Sequence, residues 1–449
     1  METKKEIFKL LIKEFHELKP PQLIRRDHQL SDYCTGLAAG FSNHISSNAS
    51  PPPSVVAITG PRRCGKTYFI YQLIDHLCSH PASPIPRNRL FYINFEDDRL
   101  LPISVSDLAS LPDAYFELYP DNREKDIFIF LDEIHQVEGW QLFLRRVLDQ
   151  ENVRLFISGS SSKFCTRALS SELSSRTIEF AIAPLTFKEF LAFKGLDVAP
   201  DFAYSNLRFK IKNLLDEYII YGGYPEVVLS DDSLKFRILK NYYDILIYKD
   251  LVEQFSIRNV NLLKGLLKYL IMHIGSIFSI NSYFLDVQPK LHVSRDTILE
   301  YVSHFEQKGL ISLVSVFSDS PKVQQVNPKR VYTLDNGIRN AVSFPLPNDE
   351  EKLVKNLVFQ KLKKSGNEVF YWKNNRGDVD FAAQENGKLQ GINISYGREL
   401  GDGESNSLLE FQYSLGMRSA DLVVITKDTE KVQRGISYIP LWKWLLNSQ

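Results

Sequence analysis

The chain has 449 residues, 44% of them hydrophobic, with 54 Lys+Arg against 54 Asp+Glu. That length accommodates two or three domains with sizeable cores, and the zero formal net charge excludes a strongly basic, whole-surface nucleic-acid binder while leaving room for a local basic patch. The four cysteines, Cys34, Cys64, Cys78 and Cys165, show neither zinc-ligand spacing nor a disulfide framework, which reads as a reducing, intracellular setting with unpaired thiols.

Residues 4–17 carry apolar positions at helical spacing, and Pro20-Pro21 ends that helix. The first twenty residues are charged throughout and lack an apolar signal core. Nowhere do about 18 uninterrupted apolar residues occur, so no membrane contact is expected and the cytoplasm is the expected compartment. A second helix is predicted between Cys34 and Pro53, followed by the loop SSNASPPPS.

From Val55 short apolar strands alternate with helices: VVAITG, TYFIYQLIDHLCSH, LFYINFED, IFIFLDE, GWQLFLRRVLDQ, VRLFISGS and TIEFAIAPL. Strands buried on both faces and separated by helices imply a parallel, doubly wound sheet. This block ends near Gly195, so residues 1–195 are predicted as N-terminal helices plus a nucleotide-binding core.

The first strand runs into Gly60-Pro61-Arg62-Arg63-Cys64-Gly65-Lys66-Thr67, which matches G-x-x-x-x-G-K-[ST] between a predicted strand and a predicted helix that continues with Tyr68. Glycines let backbone N–H groups wrap phosphates, and the helix N-terminus favours anions. Lys66 is expected on the β- and γ-phosphates of ATP and Thr67 on Mg²⁺. The bland alternative, a glycine-rich turn without nucleotide, is disfavoured by a second motif. Ile127–Glu133 is an apolar strand ending in two acids, with Asp132 expected to hold Mg²⁺ through water and Glu133 to polarise the attacking water.

The strand 153–157 ends in Ser158-Gly159-Ser160. AAA+ proteins place a polar residue there to orient the water; Ser160 is the first choice and Ser158 the second, against simple helix capping. Arg176, just before the next strand, either reaches a neighbouring subunit's γ-phosphate in a homo-oligomer or forms a surface salt bridge, and both readings stay open.

Residues 203–270 read as helical, interrupted by GGYP at 222–225. Residues 262–340 read as a winged helix: three helices, the last ending in glycine, then strands ISLVSVF and RVYTL joined by a polar loop. Its third helix opens with Ser294-Arg295-Asp296-Thr297, and the wing offers Lys322, Lys329 and Arg330. This modest positive patch is offset by Asp296, Glu300 and Glu306, so DNA contact and a nucleotide-dependent packing role stay open. After Pro345 come a helix, strands EVFYWKN, DVDFAAQ and QGINISYG, a helix around LLEFQYSLGM and a strand DLVVIT, a helix-flanked mixed sheet. The domain reading is therefore 1–195, a helical lid and winged helix over 196–345, and a C-terminal α/β domain over 346–449.

The segments YINFEDDRL (92–100), LDEIHQVEGWQLFLRRVLD (131–149), FISGSSSK (156–163), APLTFKEFL (183–191), YGGYPEVV (221–228) and YKDLVEQFSIRN (248–259) occur in that order. Together they resemble a family of prokaryotic AAA+-like ATPases with a C-terminal domain of unknown function, related to the archaeal branch of the signal-transducing STAND NTPases. The resemblance spans nearly the whole chain. It implies that Pro225 packs near the adenine and reports nucleotide state, against the plain reading of a helix-breaking loop, and that Glu96 lies near the phosphates. It implies a restriction-endonuclease-like fold for the last domain, whose metal chemistry uses a helix Glu, a strand Asp and a [Glu/Gln]-x-Lys strand. Here Asp380 matches the strand acid, but Lys355, Asn393 and Ser395 stand at the other positions, so no nuclease activity is expected; Asp378 alone does not restore the set. Expected ligands are ATP, ADP and Mg²⁺, with a homo-oligomer, DNA and an unidentified protein as open partner candidates.

Overall fold

The structure is a computed structural model that describes residues 3–26, 55–80, 84–150, 152–159, 177–198, 207–289, 291–343, 349–385, 387–397, 401–416 and 421–447. It divides into two compact units, Met1–Ala183 and Pro184–Gln449.

The first unit is built on a five-stranded sheet. Its strands are β1 (Val55–Thr59), β2 (Leu90–Asn94), β3 (Ile127–Asp132), β4 (Val153–Gly159) and β5 (Thr177–Ala181), ordered β2-β3-β4-β1-β5. Every pairing is parallel. Every residue of β1 and β3 is buried, as continuous apolar runs require when helices cover both faces. Helix α1 (Lys4–Glu17) is capped by the Thr3 side chain and buries Phe8, Leu11, Ile12 and Phe15, one face at helical spacing. Helix α2 (Lys66–Ser79) follows β1 and buries Phe69, Ile70, Leu73, Ile74 and Leu77. Each such side chain contributes roughly 1.5–3 kcal/mol by leaving water. Helices α3 (Ser110–Leu118) and α4 (Trp140–Gln150) complete the layers. The sheet is thus the parallel α/β arrangement expected for an AAA+-like core, and register brings Thr59, Asp132 and Gly159 to neighbouring strand ends. Ligands of open parallel sheets bind at such carboxyl ends.

The second unit opens with α5 (Phe187–Phe193), whose start is a capping box between Thr186 and Glu189. Helices α6 (Leu207–Tyr221), α7 (Pro225–Leu229) and α8 (Asp232–Ile245) follow, then a π-helical stretch Leu246–Glu253 and α9 (Val260–Met272). A three-stranded antiparallel sheet comes next, with strands β6 (Ile277–Phe278), β7 (Ile311–Val314) and β8 (Lys329–Thr333) in the order β6-β8-β7. Helices α10 (Ile280–Val287) and α11 (Arg295–Gln307) precede β7. The connection between β7 and β8, expected as a polar loop, contains α12 (Pro321–Val326). Pro321 at its first turn is pre-set for helix and lacks only an N–H that would have no partner there.

After α13 (Asn336–Val342) and α14 (Asp349–Lys364) the chain forms a six-stranded mixed sheet. Its strands are β9 (Glu368–Lys373), β10 (Asp378–Glu385), β11 (Lys388–Ser395), β12 (Asp421–Thr426), β13 (Lys431–Gln433) and β14 (Ile436–Pro440), ordered β13-β14-β12-β11-β10-β9. Helices α15 (Gly403–Ser414) and α16 (Leu441–Leu446) flank it. The register between β9 and β10 shifts between Val379 and Ala382, around Asp380. Among the described residues no helix is long and apolar enough to cross a membrane.

Candidate nucleotide site

The β1–α2 loop is held by three left-handed backbone positions: Gly60 at φ 143°, Arg63 at 65° and Gly65 at 96°. A Cβ on Gly60 would lie 2.1 Å from the Ile182 carbonyl oxygen, so only glycine fits there. The Cys64 sulfur lies 2.8 Å from the Pro61 carbonyl oxygen and 3.0 Å from that of Ile182, and burial pushes its thiol up. Arg26 braces the loop from outside: one nitrogen donates to the Cys64 carbonyl at 2.9 Å and another to that of Ala183 at 2.8 Å. Arg62 pairs with Glu96 at 3.0 Å, and Tyr68 is exposed.

Lys66 is 5% exposed. Its ammonium donates to the carbonyls of Gly60 and Pro61, both at 3.2 Å, and pairs with Glu133 Oε1 at 3.3 Å. Burial works against the charge, but Cys64, Glu133 and Asp132 outweigh it and hold the lysine above its ordinary value. Glu133 is raised, first because it is buried, with Lys66 opposing. Its second carboxylate oxygen lies 3.2 Å from His135 Nδ1. Its backbone sits at φ 54°, a left-handed conformation that costs a non-glycine residue roughly 1–2 kcal/mol.

Asp132 gathers hydroxyls. Thr67 Oγ1 donates to its Oδ2 at 2.7 Å and Tyr92 to the same oxygen at 2.8 Å, while Ser158 donates to Oδ1. Ser158 Oγ in turn accepts the Glu133 N–H at 3.0 Å. Burial and the neighbouring Asp132 push the Tyr92 phenol far above its usual range, so it stays a donor. Strand β4 lies between β1 and β3, which carries Ser158 to the junction of the two acidic residues.

The AAA domain model matches residues 52–191, and two domains of unknown function, DUF8612 and DUF4143, match 212–350 and 350–444. The uncharacterized protein MJ1544 of Methanocaldococcus jannaschii is 32% identical over 412 residues, covering 88% of this chain and 89% of that protein. The chain belongs to the same family as MJ1544. Because its residues 52–191 are an AAA domain carrying a P-loop, this is an AAA+-like family. An uncharacterized protein of Haemophilus influenzae is 27% identical over 395 residues, covering 87% and 94%. A solved Walker-type ATPase of Pyrococcus abyssi is 12% identical, with a TM-score of 0.43 over 73% of this chain and 99% of that one.

Of the residues singled out in this AAA+-like chain, Lys66, Thr67, Asp132, Glu133 and Ser158 converge within hydrogen-bond reach of one another. Ser160 and Arg176 lie outside the described residues. Pro225 belongs to the second unit, where it opens α7. Sequence reasoning missed Tyr92, Arg26 and His135. A hydroxyl-bearing ring in an otherwise apolar strand was the available signal for Tyr92, and His135 stood two residues beyond Glu133; nothing marked Arg26.

In the second unit Asp380 gathers partners of its own. Asp380 Oδ1 receives Lys355 at 2.8 Å and Arg330 at 3.2 Å, and its Oδ2 accepts the Ile394 N–H at 3.1 Å. Asn393 Oδ1 accepts the Asp380 N–H at 2.8 Å, and Asp378 pairs with Arg330. Arg330, read from sequence as a wing cation, is a buried residue of β8 turned onto these acids.

Proposed function

We propose that this protein binds ATP with Mg²⁺, hydrolyses it, and uses its nucleotide state to set the packing of its C-terminal half for a regulatory or interaction output. The observation that supports this reading is the convergence of Lys66, Thr67, Asp132 and Glu133 beyond the carboxyl ends of β1 and β3, the two strands that flank β4.

The donor set fits a hard divalent cation. A threonine hydroxyl and a carboxylate oxygen from different elements already lie 2.7 Å apart, and magnesium prefers one or two such oxygens plus phosphate. Thr67 and Asp132 would hold Mg²⁺, which would supply neutralisation of phosphate charge. The remaining work belongs to the chain. Backbone N–H groups of the Gly60–Thr67 loop, all but that of Pro61, which has none, wrap the phosphates, with Tyr68 continuing into the helix. Lys66 exchanges its carbonyl and Glu133 partners for phosphate oxygens. Glu133, released, orients the attacking water and takes its proton, a role favoured by burial that raises its basicity. Ser158 fixes the Asp132 carboxylate and the Glu133 backbone through one hydroxyl. Ser160 is proposed as a second water contact, Arg176 as a donor to a neighbouring subunit's γ-phosphate, and Pro225 as a contact that reads the bound base.

The second unit is proposed to combine a helical lid, a winged helix and a restriction-endonuclease-like domain without nuclease chemistry. Its interior ties support movement as one body: Asn356 accepts the Thr333 N–H at 2.8 Å and Arg330 reaches Asp378 and Asp380. The test is ATP turnover by wild type and Lys66→Ala, with and without DNA, alongside solution scattering in ATP and ADP. DNA-independent turnover, lost in Lys66→Ala, with a nucleotide-dependent change of shape is expected. Turnover that requires DNA would replace the regulatory reading with a nucleic-acid motor, and turnover retained in Lys66→Ala would sink the site assignment.

A further inference from the structure

We infer that Tyr92 is a positioning residue for the metal-holding carboxylate Asp132, acting through its phenolic hydroxyl; the inference rests on the ATPase reading above. Strand β2 lies beside β3, and Tyr92 reaches across to donate to Asp132 Oδ2 at 2.8 Å. That oxygen has a second donor, Thr67, at 2.7 Å. The two donors differ in kind. Thr67 is itself assigned to the metal and sits on α2, directly after the phosphate loop, so its position depends on what the loop holds. Tyr92 has no such duty. Its ring is fixed by packing, with its centroid 5.1 Å from that of Tyr71 on α2 and 6.2 Å from that of Phe15 on α1.

Asp132 is therefore oriented at both oxygens by groups outside the loop: Ser158 on Oδ1 from β4, and Tyr92 on Oδ2 from β2. A carboxylate held this way meets the cation without first losing rotational freedom. Partners one step removed from a metal commonly govern its affinity in this manner, by roughly ten- to a hundredfold. A purely structural phenol predicts something else, namely a stability effect with no change in metal affinity.

Tyr92→Phe removes the hydroxyl and keeps the ring. Mn²⁺ binding is measured by loss of the free-ion EPR signal, with protein saturated by a non-hydrolysable ATP analogue. The expected result is a weakening of Mn²⁺ affinity by about tenfold or more. Metal-free analogue binding and the nucleotide-free melting temperature should stay near wild type. Tyr71→Phe, which keeps the Tyr92 hydroxyl, should bind Mn²⁺ normally. Unchanged affinity in Tyr92→Phe overturns the inference. So does an equal loss in Tyr71→Phe, which keeps the ring and would place the effect in the Tyr71 hydroxyl rather than in the Tyr92–Asp132 bond, and so does a Tyr92→Phe protein that melts early or no longer binds metal-free analogue. A wild-type protein that binds no Mn²⁺ with the analogue overturns the ATPase reading itself, and this inference with it.

Discussion

Lys66 Nζ lies 3.3 Å from Glu133 Oε1 in a site where both side chains are nearly sealed from solvent. Each is the other's counter-charge, so the groups assigned to phosphate and to water hold one another until a stronger anion arrives. On the proposed function, a triphosphate would compete for Lys66 and free Glu133 in the same event. Removing either partner leaves a buried charge, and breaking such a pair is costly.

Lys66→Ala is expected to abolish measurable hydrolysis and to weaken ATP binding, because the cation on the β- and γ-phosphates is gone. Isothermal titration and steady-state phosphate release check the two effects separately.

Glu133→Gln keeps the size and a hydrogen-bonding oxygen but cannot take a proton from water. Turnover should fall by about 10²-fold or more while ATP stays bound, since general-base contributions are of that order. Single-turnover kinetics with bound ATP is the measurement. A parallel loss of binding would make Glu133 a structural or metal residue.

The strand-and-helix alternation around the core was legible in sequence because parallel strands buried on both faces read as unbroken apolar runs, as in Ile127–Asp132. So were the phosphate loop and the strand ending in Asp132-Glu133, each a short local motif, although the Thr67–Asp132 contact that joins them spans 65 residues. What stayed hidden arises between elements far apart in the chain. Tyr92 is 40 residues from Asp132 and Arg26 is 38 from Cys64, and local pattern carries no trace of either contact. Arg330 looked like a surface cation because charge normally faces water; its partners lie 48 and 50 residues away. The helix Pro321–Val326 escaped because six polar and apolar residues leave no periodicity to read. The last pair of strands and Leu441–Leu446 are too short for their patterns to rise above the surrounding loops.

Asp335 supplies a pH prediction. Fully buried between β8 and α13, its carboxylate accepts the N–H groups of Gly223 and Gly337 at 2.8 Å each and that of Ile338 at 3.3 Å. Burial still wins and pushes it up to about 6, against roughly 4 for an unfolded aspartate. The folded state holds the proton more tightly, so the contribution is complete below about pH 4 and is lost as pH rises through about 6. A difference of that size is worth on the order of 3 kcal/mol. The second unit of wild type should therefore lose stability, relative to Asp335→Asn, between those limits. Asp335→Asn should be less stable at every pH, because its amide N–H₂ must face one or more of those backbone donors. Chemical denaturation followed at several pH values checks both statements. Parallel pH profiles for the two proteins would remove Asp335 as the titrating group.

The C-terminal sheet is expected not to cut DNA. Metal-dependent cleavage needs converging carboxylates for the ion and a group that activates water. In their place Asp380 faces two cations, with Lys355 at 2.8 Å and Arg330 at 3.2 Å, and Asn393 spends its carbonyl oxygen on the Asp380 N–H. Lys355 is held above its ordinary value: burial opposes its charge, but Asp380 and Glu351 outweigh it. A fixed ammonium at that position repels a divalent ion rather than admitting one. By the resemblance Ser395 stands at the lysine position, and its buried hydroxyl has no hydrogen-bond partner among the described residues. Val379, Phe381, Ile392 and Ile394, beside these polar residues on their strands, are buried in the interior of the sheet. The measurement is incubation of plasmid and linear DNA with the protein, ATP, and Mg²⁺ or Mn²⁺. Asp380→Asn is the better control than Asp380→Ala, because deleting the side chain strands two cations and should cost roughly 3 kcal/mol or more. Intact DNA is the expected result. Cleavage by wild type that vanishes in Asp380→Asn would mean that Lys355 leaves the carboxylate when DNA and metal arrive, and that the domain is an active nuclease.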